Sequence, residues 1–110
     1  VNALKKLTPT SGNGVAVAAV FLVGDPEHLP NKLSNRDQNG GNSTSGEFGL
    51  EGLIAGGGIP TAWDHSGRVL DVCYQGDIVC GGTQTAPHSK YGSTASVQTQ
   101  CSNLLLSKLG

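Results

Sequence analysis

The 110-residue sequence has no excess of basic charge: seven Lys and Arg stand against eight Asp and Glu, and the pI is near 6.3. That balance excludes a polybasic surface for nucleic acid or anionic lipid. No run approaches the ~18 to 20 apolar residues of a membrane-spanning helix. No basic stretch followed by an apolar one opens the chain, so a secreted form would already have lost its signal. Internal repeats are lacking as well. Aromatic side chains are scarce, with one Trp and two Tyr. A carbohydrate-binding surface therefore has thin support, and Trp63 reads as a core anchor.

What is present is loop-rich, with seventeen Gly and five Pro. The recurring apolar runs nevertheless argue for a folded chain, read as a single small domain over 1–110 with a modest core. Cys73 and Cys80 lie close enough to clip a loop, and Cys101 is left over. Asn42-Ser43-Thr44 is an N-glycosylation acceptor pattern. Together these features lean towards an oxidising, extracellular setting.

Val1, Leu4 and Leu7 fall on one helical face, and the helix stops at Thr8-Pro9. Val15 to Val23 is continuously apolar, which suits a strand covered on both faces of a parallel sheet. A buried helix is the competing reading; the β-branched content and the Gly24-Asp25-Pro26 stop favour the strand. Asp25, Glu27 and His28 superficially resemble a metal constellation, but the prolines and the missing fourth ligand favour a plain loop with His28 exposed to solvent. Residues 31–58 read as a long Gly/Asn/Ser-rich loop whose second half, Glu47 to Ile54, rests on the body of the domain. Arg68 to Tyr74 reads as the second strand. Before it, Asp64-His65-Ser66 contains the side chains of a hydrolase triad, but adjacent residues cannot converge, so it reads as a polar turn. The segment from Thr94 carries apolar positions at 97, 101, 104, 105 and 109, a helical stripe with Lys108 in its last turn. It reads as a C-terminal helix over the sheet, with Cys101 as a buried thiol or, facing outward, an intermolecular disulfide. Strand, crossover, strand and helix give an α/β class.

The chemistry centres on Cys73-Tyr74-Gln75-Gly76-Asp77-Ile78-Val79-Cys80 and the following His88-Ser89-Lys90-Tyr91-Gly92. A disulfide between the two cysteines would contribute on the order of 2 to 3 kcal/mol and fix where Asp77 points. An acid so held accepts the Nδ1 proton of an imidazole, and His88 is placed to supply it. The third participant would be a serine in a Gly-x-Ser-x-Gly turn, and that pattern is absent from the sequence.

With Val20-Phe21-Leu22-Val23-Gly24-Asp25-Pro26, these two loops make the chain resemble the C-terminal half of the cutinase and acetylxylan esterase family of secreted fungal serine esterases. The resemblance implies half of a parallel-sheet α/β-hydrolase fold and the roles of acid for Asp77 and base for His88. It implies no cofactor and no metal. The nucleophile elbow and the oxyanion-hole donors would precede Val1, so this chain alone is expected to be inactive. The open edge of Val15–Val23 would then be completed in one of two ways: by a second copy, giving a homodimeric recognition protein, or by a partner chain supplying the N-terminal half of an active esterase.

Overall fold

The structure is a computed structural model and describes residues 1–52 and 57–109. Leu53 and Ile54, expected to rest on the body of the domain, lie outside the described residues. Three strands, β1 (Val20–Val23), β2 (Asn35–Arg36) and β3 (Val69–Val72), form a parallel sheet in the order β1-β3-β2. A short helix α1 (Thr61–Asp64) precedes β3, and α2 (Ala95–Leu109) closes the described chain.

β1 is shorter than the apolar run from which it arises. Val15 and Ala16 belong to a 3-10 turn over Gly12–Ala16, so the expected edge strand Val15–Val23 reduces to its last residues. The cause is the partner. β3 follows a turn and begins at Val69, which pairs with Val20, and β1 has nothing to pair with before that point. Arg68, just ahead of β3, donates instead to the carbonyls of Pro9 and Val17 at 2.9 and 3.4 Å. Among the described residues β1 is paired only on its β3 side, and its side chains are half-buried to exposed rather than covered on both faces.

Trp63 is fully buried and anchors one core with Leu4, Ile59 and Val69, against which Val1, Leu7 and Leu22 also pack. Val1, Leu4 and Leu7 share a face as their spacing predicts, but the helical segment is a single 3-10 turn over Leu4–Lys6. The indole explains why the chain is held there: Trp63 Nε1–H donates to the carbonyls of Leu4 and Leu7, both at 3.1 Å. A second core joins Val72, Tyr91 and Val97 with Phe21 and Tyr74, so the first turns of α2 lie over the sheet. Val97 and Leu104 of the predicted stripe are buried, whereas Leu105, Leu106 and Leu109 are exposed. Cys101 is a free, half-buried thiol.

The polar stretch after β1 is more ordered than its composition suggests. Asp37 is buried, and its carboxylate accepts from the backbone N–H of Asn39, Gly41 and Ser43 at 2.9, 2.8 and 3.2 Å and from the Ser43 hydroxyl at 2.6 Å. Burial alone would raise the Asp37 carboxyl, but these donors outweigh it and hold the group below the usual aspartate range. The Gly, Asn and Ser residues wrap around one carboxylate, as such residues do in Asx-type turns.

Candidate functional site

β1 and β3 both end on the same side of the parallel sheet, the side where open α/β folds gather reactive groups. Immediately after β3, Cys73 is tied back to the sheet by its N–H to the Arg36 carbonyl at 2.9 Å and covalently to Cys80, seven residues on. Within that ring Asp77 N–H donates to the Tyr74 carbonyl at 2.9 Å, and Gly81 and Gly82 N–H donate to the Asp77 carbonyl at 3.1 and 2.7 Å. Gln38 and Gln75 clamp the ring from outside, Gln75 N–H donating to Gln38 Oε1 at 3.0 Å and Gln38 Nε2 to Gln75 Oε1 at 2.9 Å. Breaking the disulfide with Cys73→Ser and Cys80→Ser is expected to cost about 2 to 3 kcal/mol of unfolding free energy on loop-entropy grounds. Urea unfolding of the double variant beside the parent measures it.

Asp77 is fully buried and accepts from three donors. Val79 N–H reaches Oδ1 at 2.9 Å, while His88 Nδ1 and the Tyr91 hydroxyl both reach Oδ2, at 2.9 and 2.5 Å. His88 sits in a 3-10 turn over Ala86–Ser89, started by the buried Pro87, and its side chain remains 47% exposed. The two residues singled out in the sequence, Asp77 and His88, thus meet in space, one rigidly held and the other facing solvent. If Nδ1 donates its proton in this hydrogen bond, Nε2 is left as the accepting nitrogen of the imidazole, and it has no partner among the described residues.

Gly24, which the sequence marks as a strand stop, also defines the space for this pair. It ends β1 at φ +59°, and a Cβ there would lie 2.6 Å from His88 Cε1 and 3.1 Å from Asp77 Oδ2. Glycine is the residue that permits both the left-handed backbone and the close approach.

His28, expected to be an exposed loop residue, is a correction: its accessibility is 0%. Nδ1 lies 3.1 Å from Asp71 Oδ2, and Nε2 lies 3.1 Å from the Thr44 carbonyl. The supposed Asp25, Glu27 and His28 constellation diverges. Asp25 Oδ1 accepts from Glu27 N–H at 2.9 Å, Glu27 pairs with Lys5 at 2.9 Å, and His28 turns inward to Asp71. Burial, reinforced by the charge of Asp71, raises the Asp25 carboxyl above its usual range. No group of His, Cys, Asp and Glu among the described residues is arranged to hold a metal ion. The one signal that could have revealed this cluster is Asp71 itself, a charge in the middle of an apolar strand.

Asp64 accepts from Leu33 and Ser34 N–H at 3.0 and 2.9 Å, His65 is exposed, and the Ser66 hydroxyl donates to the Trp63 carbonyl at 2.6 Å. Asp64 thus ends α1, a correction to the turn read over all three residues, and His65 and Ser66 form the turn that follows it. Asn42 is exposed, whereas Thr44 of the same tripeptide is buried and donates to the Cys73 carbonyl at 2.9 Å.

A solved structure of a cutinase-like protein from Cryptococcus sp. superposes on all of the chain with a TM-score of 0.90 at 37% sequence identity. The chain has a cutinase-like fold. It spans about half the length of that relative, 54% of the relative's chain. No family model and no curated protein matches the sequence. The cutinase-like fold accounts for the parallel sheet, and the Cys73–Cys80 disulfide within it is of the kind that persists in oxidising surroundings. No helix among the described residues is long and apolar enough to cross a membrane.

Proposed function

We propose that the chain carries the acid and base of a serine esterase of the cutinase or acetylxylan esterase type, secreted, acting on carboxylic esters once a complementary region supplies the nucleophile. The observation that carries this reading is the hydrogen bond between buried Asp77 and solvent-facing His88. Asp77 orients the ring, Nε2 takes the proton of an attacking serine hydroxyl, and the carboxylate stabilises the imidazolium that forms. The sequence holds no Gly-x-Ser-x-Gly turn, so the serine and its oxyanion donors belong to the complementary region. The exposed Asn42 is free to carry a glycan in a secreted form.

A second reading, a non-catalytic homodimeric recognition protein, has its own support in the unpaired edge of β1 and the exposed Leu105, Leu106 and Leu109 of α2. One experiment separates the two. The native protein, isolated with an antibody against this chain, is treated with a fluorophosphonate, assayed with p-nitrophenyl butyrate and weighed by light scattering. The esterase reading expects a labelled serine outside these 110 residues and ester turnover. A mass of twice this chain with neither label nor turnover overturns it in favour of the dimer.

A further inference from the structure

Asp77 is a carboxylate without solvent, and its ability to hold a charge depends on the donors around it. We propose that Tyr91 is a positioning residue of the pair: its hydroxyl donates to Asp77 Oδ2 and holds that oxygen as an acceptor, so that the His88 proton stays on Nδ1 and Nε2 stays open. The inference rests on the esterase reading and assigns a further residue to that site.

The direction of the Tyr91 bonds is fixed by chemistry. Tyr74 N–H, which can only donate, points at the Tyr91 hydroxyl oxygen at 2.9 Å. The hydroxyl therefore accepts there, and its single proton goes to Asp77 Oδ2 at 2.5 Å, a nearer and stronger acceptor than the disulfide sulfur of Cys80 at 3.5 Å. The ring has little freedom to leave. Tyr91 is buried with Val72 and Val97, and its ring meets those of Tyr74 and His88 edge-on, with centroids 5.7 and 6.2 Å apart. Burial and the adjacent Asp77 raise the phenol far above its ordinary range, so it remains a donor throughout the neutral region.

The consequence lies in which nitrogen of His88 carries the proton. An ionised Asp77 can only accept, which places the proton on Nδ1. A protonated Asp77 would donate to Nδ1 and leave the imidazole proton on Nε2, the nitrogen that must be free to act as base. Val79 N–H reaches the other oxygen, so without Tyr91 the charge on Oδ2 is met by His88 alone. The Tyr91 hydroxyl acts through Asp77 and, among the described residues, makes no hydrogen bond to His88.

The test is nitrogen NMR of histidine-labelled chain above the titration range of imidazole, with no nucleophile required. The parent is expected to show His88 as the Nδ1–H tautomer and Tyr91→Phe to show mainly Nε2–H, with the far-ultraviolet circular dichroism unchanged. A Tyr91→Phe chain that keeps the parent's Nδ1–H tautomer overturns the proposal. If Tyr91→Phe does not fold, fluorotyrosine in place of Tyr91 keeps the shape and strengthens the donor. The His88 Nδ1 proton resonance should then move upfield, and a stationary resonance overturns the proposal. A parent chain already in the Nε2–H form would instead remove the esterase reading on which the inference stands.

Discussion

Replacing His28 by alanine is expected to destabilise the fold by about 3 to 5 kcal/mol, the range found when one partner of a buried ion pair is removed. The size follows from the surroundings. The His28 and Asp71 side chains are 0% and 2% exposed, so no water replaces the lost partner. The Thr44 carbonyl can only accept, which requires a proton on Nε2. The bond to Asp71 then needs a second proton, shared between Nδ1 and the carboxylate. Burial alone would disfavour the imidazolium, but the hydrogen bond and charge of Asp71, with help from Thr44 and Asp25, outweigh it and raise the pKa above 6.5. The sign of the linkage follows. A raised folded value means the stabilisation is fully present below the unfolded pKa of 6.5 and is lost as pH rises through the folded value. Urea midpoints of the parent should therefore fall as the solution is made alkaline, and those of His28→Ala should change less over the same window. Against a total of about 5 to 15 kcal/mol for a domain, the loss is a large fraction of the whole. A His28→Ala midpoint equal to the parent's would refute the ion-pair account, and a His28→Ala/Asp71→Ala double variant should recover part of the loss.

Gly24→Ala is expected to separate His88 from Asp77 while leaving the fold in place. The added Cβ would sit 2.6 Å from His88 Cε1 and 2.7 Å from Nδ1. One neighbour has to give way. Asp77 is held by the covalent ring, Val79 and Tyr91, whereas His88 is half-exposed on a short turn, so the imidazole moves. The left-handed backbone at Gly24, φ +59°, adds a strain of about 1 to 2 kcal/mol for a residue with a side chain. In NMR the His88 Nδ1–H signal bonded to Asp77 should disappear. If the chain works in an esterase as proposed, kcat/KM should also fall, by about 10²- to 10⁴-fold, the usual contribution of a positioned general base. A parent-like signal and rate in Gly24→Ala would show that the strand end has room to spare.

These expectations mark where the sequence could be read and where it could not. The spacing of Val97, Cys101 and Leu104 announces α2, and the Cys73–Cys80 ring with the histidine after it announces the pair, because each depends on residues near one another in the chain. The run from Val15 to Ala19 is misleading for the opposite reason. Its apolar character is strand-like, but strand formation needs a neighbour, and β3 offers none before Val69. His28 could not be placed from its neighbours, since Asp71 is 43 positions away and nothing local distinguishes a buried histidine from an exposed one. Gly24 looked like punctuation. Its importance comes from His88 and Asp77 approaching from another part of the chain.

The same contrast in distance along the chain bears on how the molecule comes together. His88 and Tyr91 lie only 11 and 14 positions from Asp77. Segments of that length close within about 10 to 100 ns. The bond between His28 and Asp71 must wait for a much larger circuit of chain and for the sheet between them. The contacts of Asp77 with His88 and Tyr91 thus close a short stretch of chain, and that of His28 with Asp71 a long one. Loss of the sheet should therefore cost both: it parts His28 from Asp71 and strips away the Val72 and Phe21 contacts that bury Tyr91.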